Sequence, residues 1–234
     1  MADPQNTKVK ICGVTNLHDA LLAANAGADF VGVVVEIPCS PRRLTVAQAR
    51  VVCEGSPRPV AALFFNWDAK RVAAAVEVLR PKVIQLHGQE EPSLVKALKA
   101  SLDCKIWKAL HVPSQKAGKL DVDEVLATAK AYVDAEVDAI VLDTVVGSTG
   151  STKRYGGTGQ VGDWDLAREL VKAIPTRVFL AGGINPANVQ QAIAQVHPYG
   201  VDLCSGVEAS PGTKDPQKIA ALMRAVRAAN EESQ

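Results

Sequence analysis

Three features of this chain predict one closed (β/α)₈ barrel. Short β-branched runs alternate with Ala-rich helical patterns along nearly all of its 234 residues. Several runs, such as Phe30-Val31-Gly32-Val33-Val34-Val35 and Ala139-Ile140-Val141-Leu142, are continuously apolar, as parallel strands covered on both faces are. No break in composition divides the eight βα units, and eight units disfavour the fallback, an open doubly wound sheet.

Taken in order, the first unit sets a strand at 8–12 before a helix at 17–26 that Asn16 can cap. Gly27-Ala28-Asp29 stops that helix and turns directly into a strand at 29–35, and Thr45 can cap the second helix, 45–54. The next three units are 59–65 with 68–79, 82–86 with 91–100, and 105–110 with 122–132. The sixth is 138–142 with 164–174. The seventh strand, 177–181, leads to a helix at 186–195 opened by Asn185-Pro186, with proline in the first turn. The eighth unit is 200–204 with 215–229, so residues 8–229 are expected to form a single domain between frayed termini, 1–7 and 230–234. The longest irregular stretch, 144–162, is rich in Gly, Ser and Thr; a loop of this length is a functional lid or disordered, and mobility without ligand is expected.

A hydrophobic fraction of 47% is enough for a substantial core without disulfide or metal. The net charge of +1 gives no reason to expect nucleic acid or an acidic membrane as partner. Five scattered cysteines (Cys12, Cys39, Cys53, Cys104, Cys204) with no C-x-x-C pair argue against a disulfide framework or a zinc site and fit a reducing cytoplasm. Neither a secretory signal nor an apolar run of membrane-spanning length is present, so a cytoplasmic protein is expected. Oligomeric state is not legible: monomer and homodimer both fit.

In such barrels the active site is built from the loops at the C-terminal ends of the strands. Cys12 and Asp143 end the first and sixth strands, a thiol and a carboxyl that can work as a pair only if the fold brings those ends together. Each has a bland reading, Cys12 as a small buried hydrophobe and Asp143 as a helix cap. A carboxylate at the end of an apolar strand is nonetheless costly to bury unless used or paired. Gln85 and His87 end the fourth strand and His111 follows the fifth; either histidine alone could equally be a satisfied loop residue. After the second strand, Arg42 and Arg43 follow the rigid Pro41 and can offer a guanidinium to an anion, or simply form a solvated basic loop.

Loops after the last two strands commonly bind phosphate in this architecture. Gly182-Gly183 and Ser205-Gly206 suit that role, because glycine lets backbone N–H groups approach an anion closely. Gly156-Gly157-Thr158-Gly159 adds a third set of donors. The nearby G-x-G-x-x-G, Gly157 to Gly162, lacks the strand immediately before it that a dinucleotide-binding turn requires.

These residues in this order resemble the phosphoribosylanthranilate isomerase family of tryptophan biosynthesis. The resemblance runs from about residue 8 to the C-terminus and rests on Lys10-Ile11-Cys12-Gly13, Ser40-Pro41-Arg42, Gln85-Leu86-His87-Gly88 and Leu142-Asp143-Thr144. It continues through Gly156-Gly157-Thr158-Gly159, Asp163-Trp164, Gly182-Gly183-Ile184-Asn185-Pro186 and Asn188, Val201-Asp202, Ser205-Gly206-Val207-Glu208, Pro211-Gly212 and Lys214-Asp215. It implies an Amadori rearrangement of a small phosphorylated substrate, with Asp143 as general acid at the furanose oxygen and Cys12 as general base at C2. It further implies that Arg42 holds the anthranilate carboxylate, that Gln85 and His87 line the substrate site, and that Gly157, Gly182, Gly183, Ser205 and Gly206 hold the phosphate. No metal or organic cofactor is implied. Glu36 and Arg43 stand where that family usually carries aromatic residues, and the loop after Asp143 is longer than usual. A histidine-pathway or dual-substrate phosphoribosyl isomerase is the nearest alternative, although the former uses a carboxylate at the Cys12 position. A non-catalytic barrel that binds a phosphorylated metabolite is the alternative from another class.

Overall fold

The computed structural model describes residues 6–113, 121–145 and 163–232. Its elements follow in the order β1 (Lys8–Ile11), α1 (Leu17–Ala26), β2 (Phe30–Val35), β3 (Arg43–Leu44), α2 (Val46–Gly55), β4 (Val60–Phe64) and α3 (Ala69–Leu79). Then come β5 (Val83–Leu86), α4 (Pro92–Ser101), β6 (Lys105–Pro113), α5 (Val122–Val133), β7 (Ala139–Val145), α6 (Trp164–Ala173) and β8 (Arg177–Ala181). The chain ends with α7 (Val189–Val196), β9 (Gly200–Leu203), a 3₁₀ turn (Ser205–Val207), the hairpin β10 (Glu208–Ser210) and β11 (Thr213–Lys214), and α8 (Pro216–Glu232).

The strands pair in parallel in the order β1-β9-β8-β7-β6-β5-β4-β2, and a β1–β2 pairing joins the two ends. That closure makes the sheet the predicted (β/α)₈ barrel. The short β3 adds to β2 at its C-terminal end, with Val34 opposite Arg43. Helix starts follow local chemistry: Asn16 accepts from Asp19 N–H, and Thr45 with Gln48 forms a reciprocal capping box. Gly27 closes α1 in the left-handed conformation at φ 104°.

Residues alternate across the barrel wall. Outward positions such as Val9, Ile11, Ala62, Ile84 and Ile140 join the core shared with the helices. Inward positions Ala61, Val83, Trp107, Ala109, Ala139, Val141, Phe179 and Ala181 make a separate interior core. Trp107 stacks on Phe179 with centroids 4.5 Å apart, and Phe30 meets the Trp107 ring edge-on at 4.9 Å. This aromatic plug fills the N-terminal half of the barrel and leaves polar chemistry to the other end.

Three differences from the sequence reading have local causes. The seventh helix begins at Val189 rather than at 186. Asn185 Oδ1 accepts the Ala187 N–H at 2.9 Å while Asn188 Oδ1 accepts the Asn185 N–H at 2.8 Å, so a side-chain turn occupies 185–188 first. The last helix continues to Glu232, and Thr7 N–H donates to Asn230 Oδ1 at 3.0 Å, so residues 7 and 230–232 are tied down rather than frayed. The two- and three-residue strands β3, β10 and β11 are too short to carry a periodic signal.

A Cβ on Gly200 would lie 2.5 Å from Phe179 Cε1 and 2.8 Å from the Lys8 carbonyl oxygen. Gly200→Ala should therefore cost about 1–3 kcal/mol through overpacking of the plug. Urea unfolding checks this, and an unchanged midpoint would show that the plug yields freely.

Candidate active site

The inward alternation of β1 carries Lys10 and then Cys12, just past the strand end, to the inside of the barrel mouth. The Cys12 N–H donates to the Leu203 carbonyl at 2.7 Å, which continues the β1–β9 ladder by one residue. Cys12 is 7% exposed and packs with Val34, Ile37 and Leu63, with Phe65 and Cys204 at the edge of the cluster. Gly32 on β2 makes this possible: a Cβ there would be 2.9 Å from Cys12 Sγ and 3.1 Å from Lys10 Cε. Gly13 follows at φ +69°, and a Cβ there would strike Arg42 Cδ and Cys204 Sγ, each at 2.6 Å. The turn after the thiol thus has both a conformational and a steric need for glycine.

Asp143 continues the inward series Ala139, Val141 on β7 and is 4% exposed. It lies within the strand, which runs on to Val145, rather than at its last residue. Two histidines approach it, one from the loop after β5 and one from the adjacent β6: His87 Nε2 is 3.7 Å and His111 Nδ1 3.8 Å from its Oδ2. His111 lies in β6 itself, and its Nε2–H donates to the His87 carbonyl at 2.8 Å. Burial, with help from His111, Lys10 and Lys108, holds the His87 pKa well below the ordinary histidine value, so its contact with Asp143 is not an ion pair at neutral pH. Gln85 sits one layer lower, buried, with Nε2 3.4 Å from His87 Nδ1 and no hydrogen-bond partner for Oε1 among the described residues.

Behind His87 lies a buried network outside the barrel wall. Lys108 Nζ donates to the Gly88 carbonyl at 2.6 Å and to Glu90 Oε2 at 3.0 Å. Glu90 also accepts the N–H groups of Asn66 and Gly88. Lys108 and Glu90 therefore fix the loop that presents His87.

Arg42 is not a free guanidinium. Its Nε and Nη2 donate to the two oxygens of Glu208 at 2.8 and 2.6 Å. Glu208 also accepts from Lys214 Nζ at 3.0 Å, and Lys214 donates to the Cys12 carbonyl at 2.6 Å. Burial works against the Glu208 carboxylate, but Arg42 and Lys214 outweigh it and hold its pKa below the ordinary value. Among the described residues, two of Arg42's five N–H donors are used this way, to Glu208. Glu36 and Arg43 each have a partner of their own. Glu36 Oε2 pairs with Arg71 at 3.0 Å, and Arg43 donates to the Pro38 carbonyl at 2.8 Å.

Gly182 and Gly183 both adopt left-handed φ, at 87° and 67°. Gly206 packs against the two residues that follow them, because a Cβ there would be 2.1 Å from the Ile184 carbonyl oxygen and 3.1 Å from Asn185 Cα. The loops after β8 and β9 are thus in contact, and the first amides of the Ser205–Val207 turn have no partner within that turn. Gly157 and the rest of Gly156-Gly157-Thr158-Gly159 lie outside the described residues.

A family model described as N-(5'-phosphoribosyl)anthranilate isomerase matches residues 9–225. A relative of that name from Methanocella arvoryzae is 37% identical over 224 residues, covering 94% of this chain and 98% of its own. This chain belongs to the N-(5'-phosphoribosyl)anthranilate isomerase family. The crystal structure of the isomerase from Thermotoga maritima superposes with a TM-score of 0.79 at 32% identity, covering 95% of this chain and 99% of that one. A second isomerase structure, in complex with reduced 1-(o-carboxyphenylamino)-1-deoxyribulose 5-phosphate, gives 0.76 at 30% identity with the same coverage.

The barrel brings Cys12, Arg42, His87, Asp143, Gly182, Gly183, Ser205 and Gly206 to one end of this isomerase and seats Gln85 below them. Sequence reasoning gave no role to Lys10, Asp202, Lys108, Glu90 or Lys214, and did not pair Glu208 with Arg42. The signal it could have used was a charge inside an apolar strand: Val9-Lys10-Ile11, Val201-Asp202-Leu203 and Trp107-Lys108-Ala109.

Glu208→Gln leaves Arg42 and Lys214 without their shared anion and should cost about 3–5 kcal/mol at pH 7 in urea unfolding. A carboxylate with a lowered native pKa stabilises above its unfolded value of about 4.3 and loses that contribution as pH falls through the native one. The gap between wild type and variant should therefore close below about pH 4.3. A gap that persists in acid would contradict the assignment.

Proposed function

We propose that this chain converts N-(5'-phosphoribosyl)anthranilate to 1-(2-carboxyphenylamino)-1-deoxyribulose 5-phosphate in tryptophan biosynthesis, with Asp143 as general acid and Cys12 as general base. The observation that carries this reading is the inward placement of both groups at one barrel mouth, on β1 and β7, with β9 and β8 and their glycine loops between them. Asp143 gives its proton to the furanose oxygen as the C1–O bond breaks and the anilino nitrogen forms a Schiff base with C1. Cys12, as thiolate, then removes the C2 proton, and the resulting enolamine takes up a proton at C1 as its C2 hydroxyl gives up its own, which leaves the ketone. Each such acid or base role is typically worth about 10²–10⁴-fold in rate.

The surroundings suit these steps. Val34, Ile37, Leu63 and Phe65 give the Cys12 side an apolar wall on which an aromatic ring can lie. Arg42's unused edge can meet a carboxylate, oriented by Glu208 behind it. Backbone amides at Gly183, Ser205 and Gly206 suit a phosphate. Glu36 does not crowd the aromatic subsite, because its carboxylate is taken by Arg71 and the Val46 N–H. A carboxylate at the Cys12 position would favour the histidine-pathway substrate; a thiol stands there instead.

Turnover is read from the loss of anthranilate-type fluorescence. Cys12→Ser and Asp143→Asn should each lower kcat by about 10²–10⁴-fold while binding of the reduced product changes far less. Full activity in both variants would remove the assigned roles, and turnover of the histidine-pathway substrate alone would favour the other isomerase.

A further inference from the structure

We propose that Lys10 is a positioning residue for the base, its ammonium holding the ionised Cys12 sulfur, and that Asp202 sets how much of that charge the sulfur receives. This rests on the reading of Cys12 as the base. Lys10 and Cys12 are two residues apart on the inward face of one strand, and Lys10 Cε and Cys12 Sγ flank the same point above Gly32. Lys10 lies opposite Asp202 in the β1–β9 register, and its Nζ donates to Asp202 Oδ2 at 2.7 Å. Both side chains are buried, and Asp202 Oδ1 has no hydrogen-bond partner among the described residues.

The charges facing the sulfur single out this lysine. From the β10–β11 hairpin, Lys214 adds positive charge, but its three donors go to the Cys12 carbonyl, the Cys204 carbonyl and Glu208. Arg42, from the loop after β2, is engaged with Glu208. His87, from the loop after β5, is held neutral by burial. Cys204 at the end of β9 is itself a buried thiol, pushed up to about 12 by burial. The facing strands β2 and β4 contribute Gly32, Val34 and Leu63, which carry no charge. An ammonium has three N–H donors, and Asp202 takes one of Lys10's.

Electrostatics agrees with the geometry. Burial pushes the Cys12 thiol up, Lys10 and Lys214 pull it back, and Asp202 adds to the rise. Burial pulls Lys10 down, but Asp202 and Cys12 outweigh it and keep the ammonium charged. The lysine and aspartate alone form a neutral buried pair, which adds little stability over apolar residues of the same size. Its consequence at this position is a cation whose attraction for the sulfur is partly cancelled by its own counterion.

The test is the pH dependence of Cys12 alkylation by iodoacetamide in the full chain, read on the Cys12 peptide by mass spectrometry, beside the pH profile of kcat/KM. Lys10→Met should slow alkylation at pH 7 about ten-fold or more and move the limb of kcat/KM that reports the base upward by about one pH unit or more. Lys10→Arg, which keeps the charge, should restore much of both. Asp202→Asn is nearly isosteric and should shift alkylation the other way, to faster reaction at lower pH, because the sulfur becomes the nearest anion to Lys10. That opposite shift decides the matter even if Lys10→Met does not fold. Unmoved alkylation in Asp202→Asn, or slowing in both single variants, would mean that the pair only packs, and would overturn the proposal. Alkylation does not depend on turnover, so retained activity in Cys12→Ser would sink the general-base reading separately.

Discussion

The β1 strand is hydrogen-bonded on both sides, to β9 and to β2, and the chemistry of this protein depends on that double pairing. It closes the sheet, and closure turns the two-residue alternation of every strand into a single inside and outside. Lys10, Gln85, Asp143 and Asp202 come from strands far apart in sequence. They share one interior because each sits on the inward phase of its own strand. A one-residue slip of β1 would turn Cys12 outward among the helices and leave Ile11 at the mouth. The register opposite β9 is supported by the Lys10–Asp202 bond and by Lys214, which ties the Cys12 and Cys204 carbonyls together from above.

The interior is divided by chemistry along the barrel axis. Aromatic rings fill the N-terminal half, so nothing polar need be satisfied there. The C-terminal half gathers paired cations and anions, Lys10 with Asp202 and both Arg42 and Lys214 with Glu208, which leaves one positive charge in excess. These pairs are buried, and their worth lies less in net stability than in fixed orientation. Glycine does complementary work at Gly32 and Gly13, where missing side chains give the thiol, the lysine and Arg42 room to meet.

The sequence made the architecture legible because each βα unit leaves a strong local mark: an apolar run, a stop such as Gly27, a cap such as Asn16 or Thr45. The strand ends were less legible: the run read as 138–142 continues to Val145 and takes in Asp143, and the run read as 105–110 continues to Pro113 and takes in His111. Less visible was everything that depends on which strand lies beside which. Lys10 and Asp202 are 192 positions apart, and only closure makes them neighbours. Arg42 could be seen as an anion binder, but not that Glu208 had already claimed part of it. Glu36 looked like an intruder in an aromatic pocket. Its positive φ of 47° swings the side chain to Arg71, a local backbone choice that composition does not reveal. The start of α7 was misplaced for a related reason, since paired asparagines at 185 and 188 form their own turn ahead of the helix.

A crystal structure of this chain with reduced 1-(o-carboxyphenylamino)-1-deoxyribulose 5-phosphate would show whether Cys12 and Asp143 serve one substrate. The sugar carbons should lie between Cys12 Sγ and the Asp143 carboxyl, with the aromatic ring against Val34 and Leu63. The phosphate should lie on the amides of Gly183, Ser205 and Gly206. A ligand that touches only one of the two catalytic candidates, or a phosphate bound away from those loops, would refute the assigned roles.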